Sequence, residues 1–80
     1  MTNQKKPDTF FKTQNLYQAS YLLCQGFKLI RTESNGYKVT VIFEGKDIEA
    51  NALEFYNGGW VEAKAYSDAY RSLKDIVFQR

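Results

Sequence analysis
Between Phe27 and Glu44 apolar and polar residues alternate in two successive runs, Phe27 to Ser34 and Tyr37 to Glu44, that meet at Asn35-Gly36. Period-two alternation marks a strand with one buried face, and Asn-Gly is the pair a two-residue type I′ turn prefers. The runs therefore predict an antiparallel hairpin with Ile30 opposite Val41, Thr32 opposite Val39 and Glu33 opposite Lys38. One face then carries Ile30, Thr32, Tyr37, Val39, Val41 and Phe43 and is the expected core side. The other carries Phe27, Leu29, Arg31, Glu33, Lys38, Thr40, Ile42 and Glu44, a mixed face.

Helical spacing governs most of the rest. Asn15 followed by Gln18 reads as a capping box, with Leu16 opening a helix that Gly26 stops. On that helix Leu16, Ala19, Ser20, Leu22, Leu23 and Cys24 span an arc of about 220°, wider than a single core-facing stripe, so it is expected to be wedged between layers. Its outer strip is Gln14, Gln18, Tyr21 and Gln25. Asp47 starts a second helix, with Ile48, Ala52 and Phe55 on one face and Asn57-Gly58-Gly59 as its stop. After a Trp60-Val61 link, a third helix from Glu62 to Phe78 aligns Tyr66, Ala69, Tyr70, Leu73, Ile76 and Val77. Its opposite face, Lys64, Asp68, Arg71 and Asp75, alternates in charge at spacings that form weak helix-surface pairs.

Before these elements, Thr9 to Thr13 is a short run of aromatic and β-branched residues and reads as a strand. Met1 to Asp8 is polar and reads as a tail. The order β-α-β-β-α-α predicts one two-layer α+β domain over residues 9–80, a central antiparallel hairpin packed by three helices.

Composition narrows the setting. The chain has 80 residues, six Tyr, six Phe and one Trp, and one proline, which suits a small aromatic-rich core rather than a disordered adaptor. A net charge of +2 tolerates a nucleic-acid partner without requiring one. The single cysteine, Cys24, can form no internal disulfide, and the longest apolar run, Tyr21 to Cys24, is too short for a membrane span. The expectation is a soluble cytoplasmic domain with no membrane partner.

The segments Phe10 to Ile30 and Val39 to Gly45, and Ala52 to Gly59 followed by Ala69 to Phe78, resemble a family of small bacterial and phage proteins known only as a domain of unknown function. The resemblance rests on Phe11 to Thr13, Leu22 to Phe27, Phe43, Tyr56 to Gly58 and Leu73-Lys74. It implies a single domain and a mobile-element context. These positions carry no catalytic signature, so it implies no activity.

Chemistry is sparse. With no histidine, acid–base catalysis near neutral pH loses its usual agent, and zinc loses its commonest ligand while only one cysteine remains. Asp47 with Glu49, and Asp68 with Asp75, read as helix-start acids and solvated pair partners. Cys24, between apolar neighbours, reads as a buried structural thiol. Gly58-Gly59 lacks the rest of a phosphate loop and reads as a helix stop. Tyr17, Tyr21, Tyr56, Trp60, Tyr66 and Tyr70 read mostly as core, with a stacking surface as the alternative.

These residues predict no enzyme, no cofactor, no metal site and no catalytic residue. They predict a binding module whose surface is the mixed sheet face, Lys12, Phe27, Leu29, Arg31, Lys38, Thr40 and Ile42, provided the third helix does not cross and bury it. Basic and apolar groups on an open sheet suit single-stranded nucleic acid. The same face would also suit a protein partner, as an adaptor, a small inhibitor or a homodimer.

Overall fold
The computed structural model describes residues 9–78, and the expected tail, Met1 to Asp8, lies outside them. The elements are β1 (Thr9–Thr13), α1 (Leu16–Cys24), β2 (Lys28–Asn35), β3 (Lys38–Gly45), α2 (Ile48–Tyr56) and α3 (Ala63–Phe78). The fold is α+β in the expected order, with three antiparallel strands arranged β1-β3-β2. The N-terminal strand adds to the far side of the hairpin, Thr9 opposite Gly45 and Thr13 opposite Val41.

The hairpin turns one residue later than Asn35-Gly36. Asn35 pairs with Lys38, and the loop residues are Gly36 and Tyr37. Gly36 has φ +70°, whereas neither Asn35 nor Tyr37 has positive φ. A positive φ at the first central residue alone is the type II′ pattern, which needs Gly there and nothing special after it. Tyr37, expected in the core, is 92% exposed at the tip.

Moving the turn slides each partner by two residues, so the faces near the tip keep their expected sides: Thr32 meets Val41 and Glu33 meets Thr40. A bulge between Leu29 and Arg31 then adds one residue to β2. Below it the parity reverses. Leu29 sits opposite Phe43 on the core side and Lys28 opposite Glu44 on the other. Ile30, expected in the core, is the extra residue; it is half-buried and outside the core cluster.

That cluster joins Ala19, Tyr21 and Leu22 of α1, Val41 and Phe43 of β3, Ile48 and Ala52 of α2, and Leu73 of α3. Phe11, Leu16, Phe27, Leu29, Tyr66 and Val77 pack around it.

Both short helices end as their glycines require. After α1, the Phe27 amide donates to the Leu22 carbonyl at 3.1 Å and Gly26 donates to Leu23 at 3.0 Å, with Gly26 at φ +93°. This is a Schellman motif, which brings the residue after the glycine back onto the helix. That residue is Phe27. Its ring lies over Gly45, where a Cβ would collide with it. After α2, Gly59 donates to Glu54 at 2.8 Å, and Gly58 has φ +85°. There the returning residue is itself a glycine, because the Tyr21 ring and hydroxyl occupy the place of a Cβ.

At the start of α1, the Asn15 side chain accepts from the Tyr17 amide at 2.9 Å and the Gln18 amide at 3.3 Å. The return arm of the expected capping box belongs to another residue: Thr13 Oγ1 accepts from the Asn15 amide at 3.0 Å. Gln18 is therefore free to turn inward. It accepts from Thr13 Oγ1 at 2.8 Å and donates to the Ala52 carbonyl at 3.0 Å. Gln18 and Tyr21, expected on the outer strip, are buried between α1 and α2. Asp47 precedes α2 as expected but makes no side-chain cap bond, and its φ is +60°.

α3 packs along α1. Tyr17 stacks on Tyr70 with ring centroids 5.1 Å apart, and the Tyr66 hydroxyl donates to the Tyr17 carbonyl at 3.0 Å. The third helix thus lies on the helical layer with Leu73 in the core, and does not cross the mixed face of the sheet.

Candidate binding face of the sheet
Along β3, Val41 and Phe43 enter the core, so Thr40, Ile42 and Glu44, together with Lys38, project from the opposite face. Register assigns the neighbours. Lys12 of β1 and Arg31 of β2 flank Ile42, Glu33 faces Thr40, Asn35 faces Lys38, and Phe10 and Lys28 flank Glu44. Five of the seven residues expected on the binding surface are thereby brought together: Lys12, Arg31, Lys38, Thr40 and Ile42.

Phe27 and Leu29 are not among them. The bulge turns Leu29 to the core side, and the Schellman motif draws Phe27 onto α1. Ile42 is in place but only 1% exposed. Long basic side chains cover an apolar neighbour with their methylene stems while their charged ends stay in water, and Lys12 and Arg31 stand on either side of it. Around Ile42 the face is consequently basic and polar, not an apolar patch ringed by charge.

Two members lie outside the expected set. Phe10 is 58% exposed and shares its side of β1 with Lys12. The two-residue spacing of Phe10 and Lys12 carries that signal. Lys28 comes to this side through the bulge, whose trace in the sequence is the adjacent apolar pair Leu29-Ile30, a break in the alternation. The face holds Lys12, Lys28, Arg31 and Lys38 against Glu33 and Glu44, and Arg31 Nη2 lies 2.9 Å from Glu33 Oε2, with both side chains about half exposed.

The helical layer offers other chemistry. Cys24 is half-buried; loss of solvation first, and then nearby Glu62, push its thiol above the ordinary value of 9.0. A thiol raised in this way stays protonated and makes a poor nucleophile at neutral pH. Burial, then Tyr17 and Cys24, raise the Tyr66 phenol, and a hydrogen bond with Tyr17 is the main cause of the rise at Tyr70. Lys74 Nζ sits 5.7 Å from the Tyr70 ring centroid, and Lys64 pairs with Asp68 at 3.0 Å. Of the aromatics expected mostly in the core, Tyr21 is buried and Tyr66 and Tyr70 are half-buried. Tyr17, Tyr56 and Trp60 are exposed, Trp60 at 89%.

Among the described residues no three His, Cys, Asp or Glu side chains are placed to hold a metal ion, and no helix is long and apolar enough to cross a membrane. No curated protein and no solved structure matches the chain. A family model does, over residues 8–79, under the description Domain of unknown function (DUF5659). The match takes in every strand and helix described above, and the chain belongs to that family.

Proposed function
We propose that this protein is a non-catalytic binding module that holds single-stranded nucleic acid, weakly and without sequence preference, on the helix-free face of its sheet. The carrying observation is the cross-strand row Lys12–Ile42–Arg31, with Lys38 and Lys28 on the same side. Cations spread over an open sheet can follow a phosphate backbone, and the exposed ring of Phe10 gives a base something to stack on. With a net charge of only +2, binding should be salt-sensitive and modest. The protonated thiol and phenols of the helical layer support the non-catalytic reading. A cytoplasmic accessory role in a phage or mobile element fits the resemblance noted from the sequence.

The test is fluorescence anisotropy with a labelled single-stranded oligonucleotide at two salt concentrations. The wild type should bind at low salt. Lys12→Glu with Lys38→Glu should weaken binding and reduce the log–log salt slope by roughly 0.7 for each phosphate that the variant no longer neutralises. No binding by the wild type at low salt overturns the proposal. The second reading, a protein-binding adaptor or small inhibitor, would then rest on the helical layer, where Tyr56 (63% exposed) and Trp60 are the kind of residue that anchors protein interfaces.

A further inference from the structure
The two margins of the sheet are unlike. β1 has five residues and α2 packs against it, whereas β2 has eight and β3 is its sole neighbour in the sheet. Along the outer side of β2, backbone amides and carbonyls meet no strand among the described residues, and such an edge is a template for another strand. Many proteins blunt an edge with a bulge or with charge of one sign. Here the bulge lies at the start of β2 and leaves Arg31 to Asn35 in regular register. The charges on that regular stretch are one of each sign, Arg31 and Glu33, placed symmetrically about Thr32.

That symmetry makes the edge complementary to itself. If two copies of β2 run antiparallel about a two-fold axis at Thr32, Arg31 of each copy faces Glu33 of the other and Thr32 faces Thr32, both favourable cross-strand pairings. Ile30 then faces Ser34 and Lys28 faces Gly36, so no like charges oppose one another. The Arg31–Glu33 pair already formed within the strand would become one half of a four-charge array of alternating sign. We infer that a second copy of this chain adds to the β2 edge, centred on Thr32, to give a symmetric dimer with a continuous six-stranded sheet. This self-association does not depend on nucleic-acid binding, although it would place two copies of the basic face side by side.

Sedimentation over a concentration series, with no nucleic acid present, tests it. The wild type should pass from monomer to dimer between about 10 μM and 1 mM. Arg31→Glu sets carboxylates against carboxylates and Glu33→Arg sets guanidinium groups against one another, so each variant alone should dimerise at least about tenfold more weakly. Mixing the two variants restores opposite charges at both positions, and the mixture should dimerise within about threefold of the wild type. Both variants should melt close to the wild type, since exposed ion pairs add little to stability. A wild type that stays monomeric at about 1 mM overturns the inference. So does a dimer that neither variant weakens, or a mixture of folded variants that fails to recover.

Discussion
β3 presents two faces that are equally central in the sheet and differently made. On one, Val41 and Phe43 are fully buried in a cluster with residues from three helices. On the other, Ile42 is buried to the same degree between Lys12 and Arg31, with no helix above it among the described residues. Equal burial does not mean equal rigidity. A ring locked among helices cannot be replaced without leaving a void, whereas lysine and arginine stems can settle into a gap or lift away from it. The helical side determines the structure, and the basic side is the one proposed to bind nucleic acid.

The most direct challenge to this contrast is truncation on each face. Phe43→Ala should cost about 3–5 kcal/mol, and Ile42→Ala roughly 2 kcal/mol, at the low end for an aliphatic truncation, because its cover can collapse. Chemical denaturation measures both. Equal losses would mean that the cover of Ile42 is as rigid as the helical core.

Close packing on the helical side makes a second prediction. A methyl group added at Gly45 meets the Phe27 ring, so Gly45→Ala should destabilise by about 1–3 kcal/mol, and Phe27→Leu in the same chain should recover part of that loss. Strictly additive losses in the double variant would show that the ring is not seated on Gly45.

The tip of the hairpin belongs to neither face, and its cost should come from the backbone alone. Gly36→Val places a β-branched residue at φ +70° and should cost about 1–2 kcal/mol. Asn35→Ala should change the melting free energy by less than about 0.5 kcal/mol, since Asn35 is an exposed strand residue. A larger penalty at Asn35 than at Gly36 would return the turn to Asn35-Gly36.

The smallest expected effect is with pH, and it arises on the helical side. Cys24, Tyr66 and Tyr70 have folded pKa values above the ordinary 9.0 for the thiol and 10.0 for the phenols. Between those values and the raised ones the unfolded chain has released protons that the folded chain keeps. Their contribution is therefore complete below pH 9 and declines as pH rises through the folded values. Melting temperatures should fall in alkaline buffer, and less steeply in Tyr70→Phe. An identical slope in that variant would remove Tyr70 from the explanation.

The sequence is most readable where a residue acts through its own backbone. Asn15, Gly26, Gly36 and Gly58 announce where helices begin and end and where the hairpin turns, to within a residue. The candidate face is half readable, because alternation assigns sides correctly only until an extra residue intervenes. One bulge at Ile30 is enough to move Leu29 to the core and Lys28 out of it, and its trace in β2 is the adjacent apolar pair Leu29-Ile30, which breaks the alternation without saying which of the two is the extra residue. Phe27 leaves the face for a different reason: Gly26 reads as a stop, but such a stop also redirects the next side chain onto the helix it has ended. Gln18 is polar by type and buried by circumstance, since its two partners, Thr13 and the Ala52 carbonyl, come from other elements.

The pairing of β1 with β3 also bears on how the chain reaches this structure. The β2–β3 hairpin closes through a two-residue loop and can form as soon as Gly45 is available, but β1 must wait for the same strand with α1 and β2 between them in sequence. Closing so long a loop is slow, and its entropic cost precedes any reward from the pairing it allows. β1 is then the last strand to join, and until it does β3 shows a bare margin on the side that β1 will occupy. During synthesis at a ribosome that interval is open to mispairing with a neighbouring nascent chain. A circular permutant that carries β1 after α3 should shift that exposure to the end of translation, and its refolding yield at high protein concentration would report how much the interval matters.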